Sequence, residues 1–138
     1  MIIADTGYWL ALANRRDKHH ARALEVTQAL NESLVTTWPV LTEVCHLLLS
    51  RLGVNAQVVF MSRVDQYCQL FELTEAHLRR CAELMDKYRD LPMDLTDASL
   101  VVLAEELGTG QVLSTDQRDF HTYRWKNTHP FKNLLLTN

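Results

Sequence analysis

Four acidic residues lie beside or inside the most apolar segments of the 138-residue chain: Asp5, Glu43, Asp97 and Asp116. Carboxylates are rarely buried among apolar residues unless they are paired or bind a cation. Carboxylate oxygens are hard ligands that suit Mg²⁺ or Mn²⁺, and Mg²⁺ usually keeps waters and substrate phosphate oxygens in its coordination shell. The sequence therefore predicts that the four carboxylates converge to form a magnesium or manganese site.

A site of this kind could hydrolyse a phosphodiester bond. One or two divalent ions can activate a water molecule and stabilise the negative charge that develops on the phosphate as the bond breaks. Without a cation, clustered carboxylates repel one another, and at least one of their pKa values should rise. The formal net charge of the chain is −3, so the protein as a whole does not attract nucleic acid. A nucleic-acid substrate would need a local basic patch or a metal bridge.

Other polar residues that are close to these acids in sequence could take part. Asp94 could be the N-cap of the helix that carries Asp97, since Asp-x-x-Asp is a variant of the capping box, or it could have an auxiliary role in the site. Asp119 could join the site from the turn after Asp116, or it could be an ordinary surface acid. Hydroxyl groups that could bind ligand carboxylates or metal-bound water are those of Thr6, Ser99 and Thr115. Alone, each would be an ordinary turn or cap residue.

Short apolar segments alternate with helical patterns along the chain. Strands are predicted at Met1–Ala4, Leu34–Thr36, Cys68–Leu73, Gln111–Ser114 and Phe131–Leu136, and the alternating segment Tyr123–Lys126 could form an edge strand. Helices are predicted at Tyr8–Ala13, Asp17–Asn31, Thr37–Gly53, Asn55–Asp65, Thr74–Tyr88 and Asp94–Gly108, with a helical turn at Gln117–His121. This alternation predicts an α/β fold, a three-layer α/β/α sandwich with a mainly parallel central sheet. We expect residues 1–138 to form one domain.

The predicted fold would bring the acidic residues together. In open α/β sheets the ligand site lies beyond the carboxyl ends of the strands, and both Asp5 and Asp116 directly follow a predicted strand. Glu43 lies three residues after the apolar residue Val40 and so on the same face of their helix. Its side chain is therefore predicted to point into a cleft. Asp97 lies in the first turn of its helix, where the helix dipole favours an anion.

Several other classes of protein are disfavoured by the sequence. The three cysteines show no CxxC or metal-ligand spacing, and the histidines form no HExxH motif. A G-x-S-x-G elbow and the glycine patterns of P-loop and Rossmann proteins are also missing. No stretch approaches about 18 apolar residues, and the N-terminus lacks a basic region. We therefore expect no signal peptide, no membrane span and a cytoplasmic location.

The order of these segments resembles the PIN-domain nucleases, in particular the VapC-like toxins of prokaryotic toxin–antitoxin pairs. The supporting segments are Ile3-Ala4-Asp5-Thr6-Gly7, Thr42-Glu43-Val44, Leu95-Thr96-Asp97-Ala98-Ser99-Leu100 and Ser114-Thr115-Asp116 followed by Asp119-Phe120. Each segment is short, and their order and separation over nearly the whole chain carry the resemblance. One departure is Gly7, where many relatives have a serine after the Asp-Thr pair.

The resemblance implies a fold, a chemistry and partners. It implies a PIN-like parallel sheet flanked by helices, and cleavage of RNA that depends on Mg²⁺ or Mn²⁺. Matching the family's acids position by position assigns catalysis and metal binding to Asp5, Glu43, Asp97 and Asp116, with Asp94 and Asp119 as auxiliaries. It also implies a homodimer and inhibition by a small antitoxin protein inserted near the site.

The sequence leaves two alternatives to a metal-dependent nuclease. A catalytically silent PIN-like domain would keep the fold and bind RNA or a partner protein; an incomplete acidic set would favour it, and here the set is complete. A phosphatase with Asp5 as its nucleophile would need a second acid two residues later, where Gly7 stands. Basic residues that could contact RNA phosphates, or could be ordinary surface residues, are Arg15, Arg16, Lys18, Arg118, Arg124 and Lys126.

Overall fold

The computed structural model describes residues 1–136, in which short strands alternate with helices. The strands are β1 (Ile2–Ala4), β2 (Leu34–Thr37), β3 (Cys68–Phe71), β4 (Gln111–Leu113), β5 (Arg124–Trp125), β6 (His129–Pro130) and β7 (Lys132–Asn133). The helices are α1 (Thr6–Ala13), α2 (His20–Ala29), α3 (Trp38–Arg51), α4 (Val54–Tyr67), α5 (Leu78–Lys87), α6 (Leu95–Leu107) and α7 (Gln117–Thr122). A 3-10 turn at Glu75–His77 precedes α5.

The central sheet has five strands in the order β3-β2-β1-β4-β7. All of its neighbouring strands run parallel; in the middle of the sheet, Ile3 of β1 lies between Val35 of β2 and Val112 of β4. Parallel strands require crossover connections, and the helices between successive strands provide them. The predicted α/β fold with a mainly parallel sheet between helices is confirmed.

The predicted edge strand at Tyr123–Lys126 forms only in part and lies outside the central sheet. Arg124 and Trp125 form β5, which pairs antiparallel with β6 in a separate two-stranded hairpin rather than with the central sheet. Lys126 and Asn127 in the connecting loop have φ values of 50° and 64°, a left-handed conformation that permits a tight hairpin. Tyr123 precedes β5 and is completely buried.

The last strand is shorter than the predicted Phe131–Leu136. It covers only two residues, although the backbone N–H of Leu134 still donates to the carbonyl of Val112 at 2.8 Å. The Asn133 Oδ1 atom accepts hydrogen bonds from the backbone N–H groups of Leu135 (3.0 Å) and Leu136 (3.4 Å). These bonds hold the bend that follows the strand.

Helix α6 lies at the centre of the hydrophobic core. Residues 98–104 are all buried, and the helix packs against β1, β2, α3 and α5. A helix that is apolar around its whole circumference must be covered on all sides, and here the sheet and two helices cover it. The helix ends at Gly108, whose φ of 70° is the left-handed conformation expected of a glycine at this position.

The carboxyl ends of β1, β2 and β4 lie side by side at one edge of the sheet, because these strands are parallel and adjacent. Asp5 follows β1 directly, and Asp116 follows β4 after a short turn. This edge is therefore where the chemistry predicted from the sequence should be found. Within residues 1–136, no helix is both long and apolar enough to cross a membrane.

Candidate active site

Asp5 lies at the middle of this edge and is only 6% exposed. It is the N-cap of α1, where its Oδ1 atom accepts a hydrogen bond from the backbone N–H of Thr6 at 2.7 Å. Its Oδ2 atom accepts a hydrogen bond from the Ser114 hydroxyl at 2.8 Å. Both carboxylate oxygens are thus held in fixed directions by neighbouring donors.

Ser114 links the two strand ends that carry acids. Besides donating to Asp5, its Oγ atom accepts a hydrogen bond from the backbone N–H of Asp116 at 2.9 Å. The Asn133 side chain holds Ser114 in turn: its Nδ2 donates to the Ser114 carbonyl at 2.9 Å, and its Oδ1 accepts from the Ser114 N–H at 3.3 Å. The turn after β4 is therefore fixed from both sides.

Asp97 reaches the site from the first turn of α6. Its backbone N–H donates to Oδ1 of Asp94 at 2.8 Å, so Asp94 is the N-cap of this helix, one of the two roles that the sequence left open. Its Oδ2 atom accepts a hydrogen bond from the phenol of Tyr123 at 3.1 Å. Burial raises the pKa of Asp97 above its ordinary value, and the negative charges of Asp94 and Asp5 raise it further.

Glu43 lies in the middle of α3 and is half-buried. Its Oε2 atom accepts a hydrogen bond from the Thr96 hydroxyl at 3.2 Å, which joins α3 to the start of α6. The charge of Glu43 also contributes to the raised pKa of Asp5. The side chain therefore faces the other acids, as the helix pattern predicted.

Asp116 and Asp119 share the start of α7. Asp116 is the N-cap of this helix, and its Oδ1 atom accepts a hydrogen bond from the backbone N–H of Asp119 at 3.1 Å. The pKa of Asp119 is raised by burial first, and then by its side-chain hydrogen bond to Asp116 and by the charge of that carboxylate. The charge of Arg118 opposes these effects by lowering the pKa of Asp119.

The six acids form one electrostatic group, which we call the acidic cluster: Asp5, Glu43, Asp94, Asp97, Asp116 and Asp119. Burial raises the pKa of Asp5 from 3.8 to about 6, the charges of Glu43 and Asp116 add to the rise, and the hydrogen bonds from Ser114 and the Thr6 backbone oppose it. No member of the cluster forms an ion pair with lysine, arginine or histidine in the described part of the chain. The cluster therefore holds more negative charge than nearby basic groups balance, since only Arg118 acts on one of its members, Asp119.

The acidic cluster fits a hard divalent cation in its chemistry. It offers carboxylate oxygens, which Mg²⁺ and Mn²⁺ prefer, and none of its members forms an ion pair with a basic side chain among the described residues. The hydroxyl of Thr6, next to Asp5, is buried and finds no hydrogen-bond partner within residues 1–136, which suits a contact to bound water. In the same residues no three Asp, Glu, His or Cys side chains already stand in a metal-ligating arrangement.

The other predicted hydroxyl groups differ in their surroundings. Ser99 is fully buried; its Oγ atom bonds to Oγ1 of Thr37 and to the carbonyl of Thr96, both at 2.7 Å, and contacts no carboxylate. Thr115 is half-buried, and its side chain lies against Gly7. The expectation for Ser99 is not met, while Thr6 and Thr115 both stand beside the acids.

Four residues that the sequence pattern does not single out hold the acids or the turn that carries them. They are Ser114, Asn133, Tyr123 and Thr96. Ser114 could have been suspected, because a serine directly after an apolar strand and two residues before an acid lies at the same sheet edge. Tyr123 and Asn133 gave no such signal. Their partners are 26 and 19 residues away in sequence, so only the fold brings them together.

The basic residues predicted as candidate phosphate contacts differ in their surroundings: the charge of Arg118 acts on the cluster, whereas Arg124 and Arg15 have other contacts. The Arg124 guanidinium donates to the carbonyls of His121, Thr122 and Tyr123, and so it closes the end of α7. Arg15 lines a cavity of about 620 Å³ between α1, α2 and α4. The walls of this cavity, which we call the helical cavity, are Trp9, Leu12, Ala13, Arg15, His20, Leu24, Asn55, Ala56, Val59, Phe60 and Arg63.

Comparisons with known proteins identify relatives of the chain by sequence and by fold. A model described as PIN domain matches residues 2–126 of the chain. Ribonuclease VapC26 of Mycobacterium tuberculosis (strain ATCC 25618 / H37Rv) is 28% identical over 124 residues, which cover 89% of this chain and 92% of that protein. The crystal structure of Mycobacterium tuberculosis VapC20, a sarcin–ricin loop cleaving toxin, matches with a TM-score of 0.79 at 22% identity, over 86% of this chain and 92% of that one.

Proposed function

The chain belongs to the PIN domain family, and we propose that it is a Mg²⁺- or Mn²⁺-dependent endoribonuclease, the toxin of a type II toxin–antitoxin pair. A relative that matches most of its length is a ribonuclease. The observation that carries the proposal is the burial of Asp5 among like charges without a protein cation. Such an arrangement is costly on its own and is relieved when a divalent ion binds.

In this proposal each residue of the site has a separate task. Asp5, Glu43, Asp97 and Asp116 would hold the metal. When bound, the ion would supply a Lewis acid that lowers the pKa of a water molecule and offsets the charge of the attacked phosphate. Asp94 and Asp119 would act as auxiliaries, since each accepts or shares a hydrogen bond with one of these four acids.

The hydroxyl groups would orient the carboxylates and the water. The Ser114 hydroxyl donates a hydrogen bond to Oδ2 of Asp5 and so limits the directions in which that carboxylate can turn. The Thr6 hydroxyl has no partner among the described residues and would accept or donate a hydrogen bond to water at the site. We assign Thr115 a place at the rim of the site, against Gly7.

Cleavage of an RNA pool tests this proposal directly. Purified protein is incubated with mixed RNA in Mg²⁺, in Mn²⁺ and in EDTA, beside the variants Asp5→Asn and Asp97→Asn. The matched control is Asp65→Asn, which removes an exposed acid on α4. We expect metal-dependent cleavage that both site variants lose and the control keeps. An RNA with the sarcin–ricin loop belongs in the pool, because the toxin of similar structure cleaves that loop.

A catalytically silent RNA- or protein-binding domain is the second candidate. The observation that favours it is the lack of a ready metal-ligating arrangement within residues 1–136. A silent domain would bind RNA without cleaving it under any metal condition. Full cleavage activity in Asp5→Asn would contradict the metal mechanism and leave a different kind of nuclease to be found.

We also propose that a small antitoxin binds the helical cavity. Trp9 and Phe60 give it apolar walls, Arg15 and Arg63 add positive charge, and the buried Trp9 indole N–H has no acceptor in the described residues. This combination suits an amphipathic acidic segment that can also offer a carbonyl or carboxylate oxygen. The antitoxin would be encoded beside this reading frame. Val59→Asp should weaken its binding, whereas Leu78→Asp, on an exposed position of α5, should not.

We further propose that the protein is a homodimer, as its resemblance to VapC-like toxins implies, and that it acts in the cytoplasm. Light scattering on the purified protein, alone and with the co-expressed antitoxin, tests the oligomeric state. A monomer at all concentrations would contradict the homodimer and leave the nuclease proposal standing.

A further inference from the structure

Tyr123 is a completely buried tyrosine whose hydroxyl, the only polar group of its side chain, reaches the acidic cluster. The phenol donates a hydrogen bond to Oδ2 of Asp97 at 3.1 Å. Its ring packs edge-to-face on Phe120 and on Tyr88, with centroid distances of 5.5 and 5.0 Å. The ring is thereby held in place, and the direction of the hydroxyl is fixed with it.

The same residue is tied to the other side of the cluster through α7. The backbone N–H of Tyr123 donates to the carbonyl of Asp119 at 2.8 Å, at the end of the helix that Asp116 begins. Asp116 comes to the site from the end of β4, whereas Asp97 comes from α6. Tyr123 therefore connects two elements that each contribute a carboxylate.

Tyr88 shows what a buried tyrosine with a purely structural role looks like in this fold. It lies in the same aromatic pair and is 9% exposed, and its hydroxyl accepts a hydrogen bond from the backbone N–H of Arg124 at 2.9 Å. That bond fixes the start of β5 and touches no acid. Tyr123 differs in directing its hydrogen bond at a carboxylate of the site.

We propose that Tyr123 is a positioning residue for metal binding: its phenol holds the Asp97 carboxylate in the orientation in which it would bind the ion. This inference rests on the proposed metal-dependent nuclease and adds to it a residue from outside the acidic set. Groups that orient metal ligands are commonly worth about 10- to 100-fold in metal affinity or activity. A tyrosine that only filled the core would have no such effect.

The test compares Tyr123→Phe with Tyr88→Phe, which each remove one buried hydroxyl and keep the ring. Mn²⁺ binding is measured by calorimetry on the metal-free proteins, and kcat and KM are measured on the RNA substrate. We expect the Mn²⁺ dissociation constant of Tyr123→Phe to rise about 10-fold, with kcat reduced and KM for RNA unchanged. Tyr88→Phe should bind Mn²⁺ with wild-type affinity.

A measurement on the wild-type protein covers the case in which Tyr123→Phe does not fold. Tyrosines labelled with ¹³C at Cζ are followed by NMR during a Mg²⁺ titration. We expect the Tyr123 signal to move with saturation of the site and the Tyr88 signal to stay in place. A Tyr123 signal that does not respond to saturating Mg²⁺ would overturn the inference.

The outcomes separate this inference from the proposed function. If the wild-type protein binds Mn²⁺ and Tyr123→Phe binds it within about two-fold of wild type, the positioning role is wrong and the nuclease proposal stands. Equal losses in Tyr123→Phe and Tyr88→Phe would also overturn it, since they would show a general effect of the aromatic pair. If the wild-type protein binds no Mn²⁺ at all, both the positioning role of Tyr123 and the proposed metal-dependent nuclease are wrong.

Discussion

The side chain of Thr115 occupies the space in which a side chain on Gly7 would begin. A Cβ atom built on Gly7 would lie 1.8 Å from Oγ1 of Thr115 and 2.9 Å from its Cβ, far inside normal contact distances. Two segments that are distant in sequence, the start of α1 and the turn after β4, are therefore fitted to each other at the site. The serine that the family resemblance leads us to expect at position 7 has no room here unless Thr115 changes.

We expect Gly7→Ala to destabilise the protein by about 1–3 kcal/mol, because overpacking a close contact forces side chains or backbone to move. In a Thr115→Ala background the same substitution should cost less, since the nearest clashing atom, Oγ1, is then absent. Urea unfolding of the four proteins in this cycle measures the coupling. Equal costs in both backgrounds would show that Thr115 is not the obstacle.

Ser114→Ala should move the pH dependence of metal binding upward. The Ser114 hydrogen bond lowers the pKa of Asp5, so its loss raises that pKa, and Asp5 must be deprotonated to bind a cation. A hydrogen bond to a charged group is worth about 1.5–3 kcal/mol, which corresponds to a displacement of about 1 to 2 pH units. Mn²⁺ titrations at several pH values measure the effect.

Ser99→Ala is the matched control for this prediction. Ser99 is also fully buried and hydrogen-bonded, but to Thr37 and to the Thr96 carbonyl rather than to an acid. We expect both serine variants to lose stability and only Ser114→Ala to change the pH profile. The same displacement in both variants would mean that the effect comes from loosening of the core.

The acids were predictable from the sequence because their signals are local. Asp5 and Asp116 follow apolar strands, and Asp94 caps a helix through a bond to a residue three positions later. The parallel sheet follows from the alternation of short apolar strands and helices, and its topology then brings the strand ends to one edge. Patterns of only a few residues each therefore predicted that the acids would lie near one another.

The hydrogen bonds that hold the acids were not predictable, because they join distant segments. Ser114 reaches Asp5 across 109 positions, and Tyr123 reaches Asp97 across 26. The alternation around Tyr123 predicted an edge strand, yet this side chain turns inward to Asp97, and β5 pairs locally with β6. The sequence pattern of a two-residue hairpin strand is too short to distinguish it from the edge strand of a larger sheet.

Asn133→Ala should weaken the site although Asn133 lies beyond the part of the chain that the family model matches. Its side chain bonds to both backbone groups of Ser114 and to the N–H groups of Leu135 and Leu136. We expect a loss of about 2 kcal/mol in stability, since each hydrogen bond contributes about 0.5–1.5 kcal/mol. We also expect weaker Mn²⁺ binding, because the turn that carries Ser114 is freed.

Asn127→Ala provides the comparison for Asn133. Asn127 is an exposed asparagine whose Oδ1 accepts from Arg80 and Lys87, away from the acids. Its loss should leave Mn²⁺ affinity unchanged. Wild-type metal affinity in folded Asn133→Ala would limit the role of Asn133 to holding the end of the chain.

The metal-free protein should become less stable as pH rises from about 4 to about 6. The folded-state pKa of Asp5 is about 6 against an ordinary value of 3.8, so in this window the folded state binds more protons than the unfolded state. The free energy of unfolding then falls with rising pH, by about 3 kcal/mol for Asp5 alone. The raised pKa of Asp97 extends the decline to higher pH.

Added Mg²⁺ should oppose this decline, because the ion binds the deprotonated acids. Melting temperatures between about pH 4 and pH 8.5, with EDTA and with Mg²⁺, are expected to separate as pH rises through the pKa of Asp5. Asp5→Asn has no proton to lose at that position, so its EDTA curve should be flatter between about pH 4 and pH 6. A wild-type curve in EDTA that rises across this window would mean that Asp5 is charged at a lower pH than its burial among carboxylates requires.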